Sequence, residues 1–230
     1  MNLQDRYNQI KDHIATATTK SRRAPSDVTL IAVTKTGTPD QIRQLLELGQ
    51  LDLAESRVQQ LQQRAAILEP HFPNRIRWHM VGHLQRNKVR QVMHLCHCIH
   101  SIDSLRLAEE IQCEAERTKK TMQCLMEVNV AEESTKYGVS VGAALHLAEQ
   151  IDSMDEVQLI GLMCMAPYST DPERSRPCFV RLREIFEEIR FRKFGGNNFK
   201  HLSMGMSNDY KVAIEEGATM IRIGSAIFGG

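Results

Sequence analysis

The chain has 230 residues, 42% of them hydrophobic and 25% charged, and 29 basic side chains against 28 acidic ones leave a formal net charge of +1. This is the make-up of a soluble globular protein with chain enough for one large core, and it offers no general basic surface for nucleic acid or an anionic membrane. No stretch approaches the roughly 20 apolar residues of a membrane span, and the N-terminal residues lack a signal-peptide core.

Six cysteines are too sparse for a secreted disulfide scaffold, so a reducing, cytoplasmic compartment is expected. Leu3, Tyr7, Ile10 and Ile14 recur at helical spacing and predict an amphipathic helix that opens the chain. Short β-rich runs then alternate with helical patterns, as in βα units that build a parallel sheet. The predicted strands are 29–35, 51–55, 77–82, 98–103, 124–130, 157–165, 200–205 and 219–228, and each except the last leads into a helix. Thr38 caps the first of these helices, Pro39 suits its first position, Gln41 completes a capping box and Gly49 ends it. Ser207 and Gly217 punctuate the helix in "SNDYKVAIEEG" in the same way. Eight such units predict a (β/α)8 TIM barrel with an extra N-terminal helix, while an open doubly wound sheet has the same periodicity. No linker divides the sequence, so residues 1–230 are expected to form a single domain.

Chemistry in such barrels gathers at the carboxyl ends of the strands. Lys35 shares a predicted strand face with Ile31 and Val33, which points its amine into the barrel. Burial there favours the neutral amine, a nucleophile suited to an aldehyde. A lysine at the rim, or one paired with Glu55, is the ordinary alternative. "HLSMGMSNDY" sets two serines and a glycine ahead of a helix N-terminus, and "MIRIGSAIFGG" adds Gly224 and Ser225. Loops after the seventh and eighth strands are the usual phosphate site of this fold. Arg222 shares a face with Met220 and Gly224 and needs an acceptor at the mouth: a phosphate, an aromatic nitrogen or a buried carboxylate. An aldehyde-seeking lysine, a phosphate cradle and an arginine on one rim suggest pyridoxal 5′-phosphate (PLP). "HLCHCIH" at 94–100 invites a metal reading, but a helix end running into a strand spreads its side chains apart, and no metal site is expected.

Seven segments in order carry a resemblance: "IAVTKT", "WHMVGHLQRNKV", "SID", "VNVAEESTKYGV", "GLMCMAP", "LSMGMSNDY" and "IRIGSAIFG". Together, from about residue 28 to residue 229, they resemble the YggS/PROSC family of pyridoxal phosphate homeostasis proteins. The resemblance implies the barrel of bacterial alanine racemases without their added β-domain. It implies a Schiff base (an internal aldimine) on Lys35 and a phosphate held by Ser203, Ser207, Gly224 and Ser225. Arg222 would face the pyridine nitrogen and leave it unprotonated, which weakens the ring as an electron sink. His79, Asn129 and Met165 would line the pocket. Where the family has Gly-Glu-Asn, this chain has Ala54-Glu55-Ser56, so an Asn contact is lost or replaced by a hydroxyl, and Glu55 and Ser56 stay as further candidates. The function implied is PLP binding in vitamin B6 and PLP homeostasis and amino-acid balance, by a monomer without established turnover. Its partners would be PLP and PLP-dependent apoenzymes, with no nucleic acid and no membrane. The alternative is a PLP-dependent amino-acid racemase on the same barrel, which needs a second base; of Tyr137, Tyr168 and Tyr210, Tyr168 is best placed. A third reading is a barrel for another phosphorylated metabolite, with Lys35 only as a charge.

Overall fold

Asn2 caps the first helix, α1 (Leu3–Lys20), through a reciprocal capping box with Asp5, and Leu3, Tyr7, Ile10, Ile14 and Ala17 form its buried face as the spacing predicts. The computed structural model describes residues 1–133 and 135–229, which leaves Ser134 of "VNVAEESTKYGV" outside the described residues. Beyond α1 the described residues form nine strands. They are β1 (Thr29–Val33), β2 (Asp52–Glu55), β3 (Arg77–Met80), β4 (Cys96–Ile102) and β5 (Met122–Asn129), then β6 (Val139–Ser140), β7 (Val157–Met163), β8 (His201–Ser203) and β9 (Met220–Ile223). All pairings are parallel; β9 pairs back onto β1, β5 pairs with β7, and the β4–β5 pairing closes an eight-stranded ring. The two-residue β6 hangs on the end of β5 outside that ring and has no counterpart among the predicted strands.

The helices that follow the strands are α2 (Pro39–Glu47), α3 (Val58–Leu68), α4 (Val89–Val92), α5 (Leu105–Thr118), α6 (Ala144–Asp152), α7 (Arg176–Phe191), α8 (Tyr210–Glu215) and α9 (Ser225–Phe228). The architecture is the expected (β/α)8 TIM barrel with an extra N-terminal helix. Strand alternation splits the apolar residues into two populations. Ile31, Val33, Ala54, Val81, Cys98, Leu125, Ile160, Met163 and Met220 fill the barrel, and a larger cluster fills the layer between strands and helices.

Several predicted strands end early, and two of these corrections matter for the site. β1 stops at Val33, and Lys35 lies in a 3-10 turn, Thr34–Thr36. β9 stops at Ile223, and the run "SAIF" is helix α9 with Ile227 and Phe228 buried. A short apolar run suits a buried strand or a buried helix turn equally, so periodicity could not separate the two.

Helix α9 is only four residues long, so its last carbonyls have no helical partners. Arg6 of α1 supplies them: Nε donates to the Ile227 carbonyl at 2.7 Å and a terminal nitrogen to that of Phe228 at 3.3 Å. Helix α1 thus packs beside α8 and α9, and Tyr7 ties it to Gln50 just ahead of β2. Arg6→Ala removes both charged donors from the end of α9. It should cost about 1.5–3 kcal/mol in urea unfolding, whereas the exposed Asp12→Ala on the same helix should stay within about 0.5 kcal/mol.

Candidate cofactor site

The turn after β1 is held from below. Thr34 is buried and donates its hydroxyl to Glu55 at 2.6 Å and to the Ala54 carbonyl at 3.2 Å. Burial pushes the Glu55 carboxyl up; the Thr34 hydroxyl and Arg64, 3.9 Å away, oppose that shift. Glu55 therefore faces the helical layer and supports the turn, and its ionic partner is Arg64 rather than Lys35. The consequence for Lys35 differs from the sequence expectation: its side chain is exposed on the wall of an open cavity, not buried among the barrel's apolar residues. Ser56 is next along and also lines the cavity. A Cβ on Gly82 would collide with the Ser56 carbonyl, so only glycine lets the ends of β2 and β3 approach this closely.

Opposite Lys35, two loops are clasped together. Asp209 accepts from the Met206 N–H at 2.7 Å and from Ser175 at 2.8 Å, which fixes the loop between β8 and α8. Ser207 of that loop accepts from the Ala226 N–H at 3.2 Å, joining it to the first turn of α9. Among the described residues the N–H groups of Ser207, Asn208 and Ser225 find no backbone acceptor. With the hydroxyls of Ser207 and Ser225, they make a cradle of donors suited to an anion.

Arg222 stands between the two sides and is 4% exposed. It donates to Ser203 Oγ at 2.7 Å and to the Cys164 carbonyl at 2.8 Å, both neutral acceptors, and burial lowers its pKa. A guanidinium remains charged under such a shift, so the cavity floor carries a positive group with donors to spare.

One cavity of about 620 Å³ gathers Lys35, Ser56, Met165, Ser207, Arg222, Gly224 and Ser225. Three expected members are elsewhere. Ser203 is fully buried beneath Arg222, bonded to it and to His100 at 2.9 Å, so it does not meet a phosphate directly. His79 points down the barrel onto Asp52 (3.2 Å) and His100 (2.9 Å). Asn129 donates to the Glu133 carbonyl at 2.8 Å and closes the loop after β5, with its buried Oδ1 unpaired. Sequence reading missed Val33, Val81 and Asn208 on the wall and weighed Tyr168 only as a second base. Asn208 was within reach, since it follows Ser207 ahead of a helix; Tyr168 lies in an irregular segment that no periodicity addresses.

The donor set fits a molecule that carries an aldehyde, a phosphate and a ring acceptor. Lys35 offers an amine to the first, the two clasped loops offer hydroxyl and N–H donors to the second, and Arg222 offers a charged donor to the third.

Residues 6–230 match the family model described as "Alanine racemase, N-terminal domain". The pyridoxal phosphate homeostasis protein of Aquifex aeolicus is 38% identical over 229 residues, covering 100% of this chain and 98% of that one. A protein of unknown function from Bifidobacterium adolescentis superposes with a TM-score of 0.93 at 32% identity, over 98% of this chain and 94% of its own. PipY of Synechococcus elongatus PCC7942, solved with PLP bound, superposes with a TM-score of 0.82 at 30% identity, over 96% of this chain and 100% of its own.

Glu127, on β5, is 2% exposed and lies in the field of Arg222. Burial raises its carboxyl to about 7, with Arg222 opposing and Asp103 reinforcing the shift. A carboxyl whose pKa is raised on folding binds more protons in the native state between its unfolded value and about 7, so stability falls as pH rises through that window. Relative to Glu127→Gln, the wild type should lose on the order of 3 kcal/mol of stability between pH 4 and pH 8. Parallel denaturant midpoints for the two proteins across that range would contradict the assignment.

Proposed function

This chain belongs to the family of pyridoxal phosphate homeostasis proteins, and we propose from that premise that it binds PLP in the cavity at the barrel mouth and serves the cell's supply of that cofactor. The observation that carries the proposal is the convergence of Lys35, Arg222 and the Ser207–Ser225 clasp on one cavity. When bound, PLP supplies an aldehyde that reacts reversibly with amines and a ring that serves as an electron sink. Lys35 Nζ is the amine in reach of that aldehyde. Ser207, Ser225 and the N–H groups beside them take the phosphate, and Gly224 lets the backbone come close to it. Arg222 donates a proton that it does not release, so it holds the ring nitrogen as an acceptor. Val33, Val81 and Met165 supply the apolar wall.

Racemisation would require a second proton carrier facing Lys35. Tyr210 is hydrogen-bonded to His13 at 2.7 Å in the helical layer, and Tyr137 stacks on His83 with ring centroids 4.0 Å apart. Tyr168 alone reaches the cavity, and it is 83% exposed at the mouth. This placement favours storage and delivery of the cofactor over turnover, with PLP-dependent apoenzymes as the receivers. No described helix is long and apolar enough to cross a membrane. The proposal is of one domain acting in the cytoplasm as a monomer.

Purified protein mixed with PLP should develop a visible absorption band. Borohydride should then fix the label on Lys35, as read by peptide mass mapping, and Lys35→Ala should show neither. A label on another lysine, or no band, overturns the assignment. Ser225→Ala removes one charge-assisted donor to the phosphate and should weaken binding by about 10- to 100-fold in a spectral titration, with Lys35 still labelled at saturation.

A further inference from the structure

The barrel interior holds polar groups that continue below the cavity floor. Asp52, His79, His100, Ser203 and Arg222 form an unbroken line of hydrogen bonds from the first residue of β2 to the cavity floor. The line starts near the opposite end of the barrel from the cavity, where Arg77 donates twice to Asp52, at 2.7 and 2.5 Å. All members beyond Asp52 are at most 4% exposed.

The direction of every bond follows from its two ends. A guanidinium only donates, and a carboxylate only accepts. Burial pushes the Asp52 carboxyl up, but the bonds from His79 and Arg77 outweigh that and bring it to about 2, so it is an acceptor at any physiological pH. His79 must then donate Nε2–H to Asp52 and accept at Nδ1 from His100 Nε2–H. His100, held neutral by burial and by the nearby Arg222, accepts at Nδ1 from the Ser203 hydroxyl. Ser203 is left with lone pairs for Arg222 and no proton for anything else. Each member is satisfied once, and with both imidazole rings neutral no other assignment of protons satisfies them all.

We propose that Asp52 is a positioning residue for Arg222: through His79 and His100 it turns the Ser203 hydroxyl away from the cavity and fixes the guanidinium as a donor beneath the bound cofactor. The consequence for the ligand rests on the reading that Arg222 meets the ring of PLP; the direction of the chain does not. The ligand atoms of His79, Cys98 and His100 also lie within 4.8 Å of one another. The proton shared by the two imidazoles at 2.9 Å occupies the place a metal would need, and burial drives the Cys98 thiol well above its ordinary value, away from the thiolate a metal requires.

Replacing Asp52 by Asn should reverse the whole chain. Arg77 donates to both oxygens of residue 52 and His79 shares Oδ1 with it; the closest donor, the terminal nitrogen of Arg77 at 2.5 Å, keeps the amide oxygen, Arg77 Nε gives up its bond, and the amide N–H₂ turns towards His79. His79 then carries its proton on Nδ1, His100 does the same, and Ser203 becomes an acceptor from His100. Proton–nitrogen correlation spectra of the histidine rings, recorded without PLP, read these tautomers directly. The wild type should show Nε2–H at both His79 and His100. Asp52→Asn should convert both to Nδ1–H, although His100 never touches residue 52. Ser203→Ala should leave His100 as Nε2–H, because the carboxylate end governs. With PLP, Asp52→Asn should raise the dissociation constant about threefold to tenfold and shift the pH profile of the visible band, and Asp52→Glu should restore both.

Nδ1–H at either ring in the wild type overturns the proposal, and so does a His100 unmoved by Asp52→Asn or stoichiometric zinc in the purified protein. The wild-type spectrum decides the chain's direction even if a variant fails to fold. Absence of PLP binding would defeat the functional reading while leaving the tautomer result to stand or fall alone.

Discussion

A closed eight-stranded barrel leaves no water-filled interior, so a polar side chain that points inward is costly unless it finds a partner among the others. This barrel contains Asp52, His79, His100, Glu127, Ser203 and Arg222, all buried. Five of them solve the constraint as one line of hydrogen bonds whose two ends carry opposite charge. Glu127 does not join the line, and its raised carboxyl is the mark of that exclusion. The position of Arg222 at the cavity floor follows from this arrangement more than from any contact at the mouth.

The mouth itself is assembled from turns rather than strands. Lys35 sits in a 3-10 turn supported by Thr34 and Glu55, and the anion cradle is closed where Ser207 accepts from the first turn of α9. A rigid barrel beneath short, tethered turns gives precise donors without burying the amine. The lysine therefore stays open to solvent.

Alternation and helical spacing sufficed for the eight barrel strands, the leading helix and its buried face, because each of these depends on period alone. Strand-end position and the family resemblance together named seven residues that the fold gathers on one cavity. They failed where direction along the barrel axis decides the outcome. His79 and Ser203 do face inward as period two requires, but they look below the cavity, towards Asp52 and His100, and alternation is blind to that tilt. They failed again at Lys35 and at "SAIF", where a turn replaces the last residues of an apolar run. The histidine-rich segment "HLCHCIH" shows both effects: His94 and His97 are exposed, whereas Cys98 and His100 converge on His79, a residue twenty positions upstream that the segment alone could not reveal.

The clasp between Arg6 and the end of α9 joins residues 222 positions apart. Contacts of such separation carry the full entropy of closing the intervening chain, and they form only when almost everything between them is in place. On the ribosome, α1 would wait for the barrel strands to be made before meeting its partner, and the cradle that α9 completes would form only after them. A nascent chain would thus expose Lys35 long before it could retain a phosphate. Firm capture of a phosphate would wait on the closure of the barrel.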